Sequence, residues 1–233
     1  MAAPLATGTG LDCFHGTAPL FPLPNVALLP QVVQPLHVFE ERYRSLTAAA
    51  LQGPRLIGMA VLQPGWEAHY ERNDLPLHPV VCLAQIEADQ RLPDGRYMLL
   101  VRGLLRARII AELPPSAPYR QARLQMLPDV YGTPPTVDRL QRRHELLDVF
   151  TKLHPAAVET LERAVLIDGE LSLGALCDVL AHASGLGPEV QLRLLQETRI
   201  DLRSDLLLDA LRSELRSARR PSVSPFPPPF SPN

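Results

Sequence analysis

The hydrophobic pattern of the chain changes near residue 130, and this change constrains the fold more than any other feature. Before it, short apolar runs are separated by proline and glycine, which is typical of short strands. The predicted strands are 55–63, 79–86, 96–101, 104–112 and 119–127. After it, leucines recur at helical spacing in four or five short segments. We therefore expect an α+β protein in which an antiparallel barrel or sandwich is followed by a helical bundle.

Proline limits the strands and marks the connections. It supplies 25 of 233 residues, about twice the usual share of roughly 5%. Prolines at 22, 24, 30 and 35 have no amide proton for a ladder, so the strands around them are predicted to be short, edge-like or bulged. Pro93-Asp94-Gly95 predicts a turn between two strands, and the proline-rich stretches 114–118 and 132–135 are interpreted as connectors.

Capping signals place the helices. One predicted helix, Glu40–Gln52, lies among the strands and ends at Gly53-Pro54. In the second half, Thr136 is predicted to cap a helix over 137–153 whose inward residues are Leu140, His144, Leu147 and Phe150. Further helices are expected to begin at Pro155, at Ser172, at Pro188 and at Asp201 or Ser204. The expected organisation is a flexible leader (1–18), a β domain (19–130), a helical bundle (131–218) and a proline-rich disordered tail (219–233).

Charge and composition argue against several classes of protein. The formal net charge is −2 and neither half is basic, so no global field attracts a polyanion. No apolar run approaches the roughly 20 residues that span a bilayer, and the first 20 residues do not resemble a secretory signal. Three scattered cysteines fit a reducing compartment, and we expect a cytoplasmic protein. The single lysine, Lys152, is not in a phosphate-binding loop, so the chain is not a self-contained P-loop ATPase.

The segment 20–43, LFPLPNVALLPQVVQPLHVFEERY, resembles the opening of the Lon protease N-terminal domain. The matching residues are Phe21, Pro22, Leu23, Pro30, Pro35, Leu36, Phe39, Glu40, Arg42 and Tyr43. Shorter stretches continue the resemblance to about residue 215, among them 56–59, 92–96, 101–109 and 118–120. The resemblance implies a PUA-like β pseudo-barrel with one inserted helix, followed by a C-terminal helical bundle.

The same resemblance implies a function in recognition. The Lon family joins this domain to an ATPase and a protease, whereas this chain ends at Asn233 and resembles free-standing bacterial members. We expect a non-catalytic module that binds protein or polypeptide without a cofactor, with a role as an adaptor in protein quality control. The expected contacts are apolar ones in a groove where the barrel meets the bundle, with addition of a strand at a proline-poor edge as a further possibility.

Three other kinds of site were weighed. His69, His78 and Cys82 could hold zinc, but the usual paired ligand spacings are missing, so no metal is expected. Ser116 with Lys152 is the only hydrolytic dyad that the sequence offers, and a peptidase is the weakest alternative. An RNA-binding PUA-like protein is the other alternative, because arginines 102, 106 and 108 could share one face of a strand, but the expected partner is a polypeptide and not nucleic acid.

The candidate binding residues lie in a loop and on a strand. Trp66 is the only tryptophan and follows Pro64-Gly65, where an exposed aromatic side chain could anchor a partner. The long polar loop that continues to His78 contains His69 and Tyr70. The predicted binding residues are Trp66, His69, Tyr70, Arg102 and Arg106.

Overall fold

The computed structural model describes residues 10–68, 72–157 and 171–218. The predicted binding residues His69 and Tyr70, most of the helix expected after Pro155, and the proline-rich tail lie outside these ranges. The strands are β1 (Thr17–Leu23), β2 (Val33–Val38), β3 (Leu56–Val61), β4 (Val80–Arg91), β5 (Tyr97–Glu112) and β6 (Gln121–Leu127). The α-helices are α1 (Glu41–Gln52), α2 (Arg139–Leu153), α3 (Leu173–Ala183), α4 (Pro188–Gln196) and α5 (Ile200–Ala218). Short 3₁₀ turns lie at Gly10–Cys13 and Pro155–Ala157.

The six strands form one sheet in the order β2-β5-β4-β3-β1-β6, with a further pairing of β5 with β6. The first half of β5 pairs with β2 and its second half with β6, so the sheet turns back on itself without being a clear barrel. Most pairs are antiparallel, as expected, but β1 and β3 are parallel. The predicted α+β class is confirmed.

The prediction of separate strands at 96–101 and 104–112 was wrong, because both belong to the single strand β5. The pairing with β4 shifts between Leu83, which pairs with Leu105, and Ala84, which pairs with Gly103. Gly103 makes two hydrogen bonds to the loop before β2. Its amide donates to the Val32 carbonyl at 2.9 Å, and its carbonyl accepts from the Gln31 amide at 2.8 Å. A Cβ at this position would collide with the carbonyl of Leu29. The glycine therefore permits a close approach inside a strand and does not end it.

Two hydrophobic cores result. One lies on a single face of the sheet and contains Leu20, Leu83 and Leu124. The other is continuous from the opposite face of the sheet, around Ile86, to the helices, where Leu176 is fully buried. The strands and the helices thus share a core. The division into a β domain and a helical bundle near residue 130 stays a prediction.

Local signals located most helix ends. In α1, Tyr43, Leu46 and Ala50 are buried as predicted. Ser172 caps α3 as predicted, since its hydroxyl accepts from the Ala175 amide at 3.2 Å, and α4 begins at Pro188.

The prediction for α2 was wrong in two respects. Asp138 is the N-cap, accepting from the amides of Leu140 and Gln141 at 3.0 Å, whereas Thr136 donates to Asp201 at 2.9 and 3.2 Å. The buried face consists of Leu146, Val149 and Phe150. Leu140, which was expected to face inward, is 74% exposed. In the described ranges, the helices lack the combination of length and apolar character that would let one cross a bilayer.

Candidate functional site

Arg106, a predicted binding residue, lies inside the protein with 2% of its surface exposed. Its Nη1 and Nη2 donate to the two carboxylate oxygens of Asp178 in α3 at 2.9 and 2.6 Å. Its Nε donates to the carbonyl of Leu195 in α4 at 3.0 Å. Arg106 is therefore an internal connection between β5 and the helices, made by charge-assisted hydrogen bonds.

Asp178 belongs to a larger cluster of two arginines and two aspartates, of which Arg106, Asp178 and Arg203 are buried and Asp129 is 30% exposed. Arg203 in α5 is fully buried, and its Nη2 lies 2.7 Å from Oδ2 of Asp129 but out of line for a hydrogen bond. Asp129 also lies 3.6 Å from Nη1 of Arg106. Burial raises the pKa of Asp178, while the adjacent Arg106 opposes this shift. The four side chains join the sheet, the segment after β6 and the bundle.

The predicted groove between the strands and the helices is small. Beside Arg106, Asp129 and Asp178 there is a concavity of about 130 Å³. Its lining combines these three charged side chains with apolar residues that include Leu104 and Leu127. Its volume is below the roughly 300–1,000 Å³ of typical ligand pockets.

The other arginines of β5 do not form one surface with Arg106. Arg102 pairs with Glu87 on β4 and is partly exposed, and Arg108 is exposed. The register shift in the β4–β5 pairing disturbs the alternation that would have aligned the three side chains. The contiguous phosphate-binding face that the RNA alternative requires is not formed by these residues.

Of the residues considered for metal binding and for nucleophilic chemistry, the structure describes His78, Cys82, Ser116 and Lys152, and His69 lies outside the described ranges. In the described ranges, no group of three or more His, Cys, Asp or Glu side chains could hold a metal ion. Burial raises the pKa of the Cys82 thiol to about 12, which keeps it protonated. Lys152 lies 2.5 Å from Asp148 on the exposed side of α2, and Ser116 accepts a hydrogen bond from Gln121 at 3.5 Å.

The loop predicted to carry binding residues begins with Trp66, which is half-buried. Gly65 before it has φ of 96°, a left-handed conformation that suits glycine. The ends of the loop are held together, since the Gln63 amide donates to the carbonyl of Pro76 at 2.9 Å and its side-chain amide donates to that of Leu77 at 2.8 Å. Trp66 therefore lies in a loop whose base is fixed by these hydrogen bonds.

Arg42 holds the far part of this loop against α1. Its Nη1 donates to Oδ1 of Asn73 at 2.7 Å, and its Nε donates to Glu40 at 2.9 Å. The guanidinium lies 4.6 Å from the centre of the Tyr43 ring, which stacks on Phe21 at 4.4 Å. The conspicuous FEERY segment of the sequence thus positions residues 72–75.

Beyond residues 72–75 lies a groove of about 370 Å³, which we call the loop groove. Its floor is apolar and comes from the segment between β5 and β6. The floor residues are Leu113, Pro114, Pro115, Ala117 and Tyr119. Its polar walls are Arg72, Asn73, Asp74, Glu112, Arg120 and Gln121. An apolar floor with polar walls is the general form of a site that binds an organic ligand or a peptide.

Both arginines of the walls are held by carboxylates of the same walls. Arg72 donates from Nε and Nη2 to Asp74 at 2.8 and 2.6 Å, and this pair lowers the pKa of Asp74 to about 2. Arg120 donates from Nε and Nη2 to Glu112 at 2.7 and 2.5 Å. A third bond, 2.6 Å from Nη1 to the carbonyl of Leu75, ties Arg120 to the loop.

Sequence reasoning missed the floor of this groove. Residues 114–118 were interpreted as a connector, yet they lie beside the loop, where the side chain of Asn73 donates to the carbonyl of Pro118 at 3.2 Å. Leu113 is 40% exposed. The sequence did contain a signal, since Leu113 directly precedes two prolines and Tyr119 follows a few positions later. Consecutive prolines have no amide protons for strand pairing, so this segment lies outside the sheet.

Comparison with known proteins identifies the family. The substrate-binding domain of the ATP-dependent protease La (LON) matches residues 17–213. The Lon protease of Chloroflexus aurantiacus is 31% identical over 150 residues, which are 64% of this chain and 18% of that protein. The Lon protease of Trichlorobacter lovleyi is 29% identical over 178 residues, 72% of this chain and 20% of that protein. The chain spans about a fifth of the length of these relatives.

Two solved structures share the fold. The N-terminal domain of a Mycobacterium avium complex Lon protease gives a TM-score of 0.63 at 18% identity, covering 84% of this chain and 98% of that one. A Lon N-terminal domain protein from Xanthomonas campestris gives 0.57 at 23% identity, covering 83% and 97%. With the match over residues 17–213, these comparisons show that the chain belongs to the LON substrate-binding domain family.

Proposed function

We propose that the protein binds extended or unfolded polypeptide in the loop groove and catalyses no reaction itself. The observation that carries this proposal is the groove's exposed apolar floor in a chain whose family is described by substrate binding. Leu113, the two prolines and Tyr119 offer apolar contact without requiring a particular ligand sequence. Trp66, His69 and Tyr70 stay proposed contacts on the neighbouring loop.

Apolar contact is favoured over strand addition. Among the described strands, β2 lies at the edge of the sheet and pairs with β5 alone. Pro35 stands in the middle of β2 opposite Leu100 and has no amide proton. A proline at an edge strand hinders the pairing of a further strand, so the groove is the better binding surface.

The absence of catalysis and a role as an adaptor in protein quality control are parts of the same proposal, as is a cytoplasmic location. In support, the single lysine is engaged in an ion pair and two of the three cysteines are buried, while Cys13 is exposed. Lys152 is paired with Asp148, and Cys82 and Cys177 are buried free thiols.

Titration of a fluorescently labelled, uncharged decapeptide rich in leucine and phenylalanine tests the proposal by anisotropy. Replacing Leu113 and Tyr119 by serine removes apolar contact at an exposed floor, and we expect each change to weaken binding about tenfold, from roughly 1.4 kcal/mol of lost contact. Met126→Ser is the matched control, since Met126 is 51% exposed on β6 and does not line the groove. Equal affinity of the groove variants and the control would overturn the proposal.

A further inference from the structure

The charged side chains around the loop groove pair with one another. Four ionised side chains line it, and they form the two bidentate pairs Arg72–Asp74 and Arg120–Glu112. The net charge of each pair is zero. The described walls therefore present many charged groups but no net charge to a bound segment.

Arg120 is also fixed in place. Its side chain is 13% exposed, against 40% for Glu112, and its third hydrogen bond holds it to the Leu75 carbonyl. It cannot swing toward a charge on a ligand without giving up contacts on both sides. Arg72 and Asp74 are more exposed, but exchanging one carboxylate for another leaves their pairing energy nearly unchanged.

A charged side chain on a ligand therefore gains nothing at the walls. It does lose water against the apolar floor, which disfavours the charged form. An uncharged apolar or aromatic side chain has no hydrated charge to lose. It gains apolar contact with the floor residues Leu113, Pro114, Pro115 and Tyr119.

We infer that the loop groove selects polypeptide segments that carry no charged side chain where they contact its floor. This inference rests on the proposed function and specifies the segment that is bound. Because binding involves no net charge, affinity for an uncharged segment is insensitive to salt.

Three labelled decapeptides test the selectivity. They share one apolar core and differ at two central positions, which are both Gln, both Glu or both Lys. For the wild-type protein we expect the Gln peptide to bind at least tenfold more tightly than the other two, with less than a twofold change between 50 and 500 mM salt.

Glu112→Gln opens one of the pairs. It releases the positive charge of Arg120 while the bond to Leu75 remains, so the Glu peptide should gain at least threefold in affinity and become salt-dependent, and the Lys peptide should not gain. Asp148→Asn is the control, because it frees the charge of Lys152 on α2, outside the groove, and should change none of the three affinities.

The outcomes separate the two ideas. If the Glu or Lys peptide binds to the wild-type protein as tightly as the Gln peptide, or if Glu112→Gln leaves all preferences unchanged, the charge selectivity is overturned and polypeptide binding stands. If none of the three peptides binds, the proposed function itself fails.

Discussion

Removing the carboxylate of Asp178 probes the connection between the sheet and the helices. In Asp178→Ala, the guanidinium of Arg106 loses its two hydrogen bonds to the Asp178 carboxylate while it stays 2% exposed. It keeps two backbone carbonyls and Asp129 at 3.6 Å. Arg203, fully buried, keeps Asp129 as its one nearby carboxylate among the described residues.

The expected magnitude follows from that geometry. Breaking a buried ion pair by removing one partner costs about 3–5 kcal/mol, because a buried charge is left without compensation. The free energy of unfolding of a whole domain is about 5–15 kcal/mol. We therefore expect a loss of about 4 kcal/mol, or a Tm lower by roughly 8–16 °C for a chain of this size.

Urea unfolding followed by two probes measures the effect. Fluorescence of Trp66 reports on the β part, and far-UV circular dichroism reports mainly on the helices. Because one core spans both, the two curves should coincide and shift together. Asp148→Ala, which breaks an exposed pair on α2, should cost less than about 1 kcal/mol.

Two results would refute this reasoning. One is a loss below 1 kcal/mol in Asp178→Ala, equal to the control. The other is a shift of the helical signal alone, since the sheet and the bundle would then unfold separately. If the single variant does not fold, the double replacement Arg106→Met with Asp178→Leu removes both charges and should recover most of the stability.

Three further outcomes are expected. Gly103→Ala should lower the free energy of unfolding in urea by about 1–3 kcal/mol, since its Cβ has no room; an unchanged midpoint would contradict the close approach. In native protein at pH 8, Ellman's reagent should titrate Cys13 alone, and Cys82 and Cys177, with pKa values of about 12, only after unfolding. Their folded pKa values lie above the unfolded ones, so stability should fall as pH rises from about 9 toward 12, and a flat profile would contradict their burial. Arg42→Gln should speed hydrogen exchange of residues 72–75 and weaken peptide binding, and unchanged exchange would show that Arg42 does not hold the loop.

Local chemistry predicted much of the fold. The apolar face of α1, the cap at Ser172 and the start of α4 follow from signals within a few residues. The cap of α2 could not be predicted in this way, because Thr136 and Asp138 are both acceptable N-caps. Asp201, 65 residues away, accepts hydrogen bonds from the amide and the hydroxyl of Thr136 and so leaves Asp138 as the cap. A contact over that distance leaves no mark in a local pattern.

The candidate site was predicted only in part. The loop after Trp66 was expected to bind, and residues 39–43 were part of the family resemblance, but their connection through Arg42 and Asn73 exists only in three dimensions. From the sequence, Arg106 was predicted to be a binding residue on a strand. Its partner Asp178 comes close to it only through the packing of α3. The groove floor was missed because it depends on residues 113–119 lying beside residues 72–75.

Hydrogen exchange measured by mass spectrometry with and without the uncharged peptide tests the polypeptide-binding proposal most directly. Saturation with peptide should slow exchange in residues 72–75 and 112–121, the two segments that line the loop groove. It should leave β2 and the first half of β5 unchanged. Protection of β2 instead of the groove, or no protection at saturating peptide, would contradict the proposal that this groove is where a polypeptide binds.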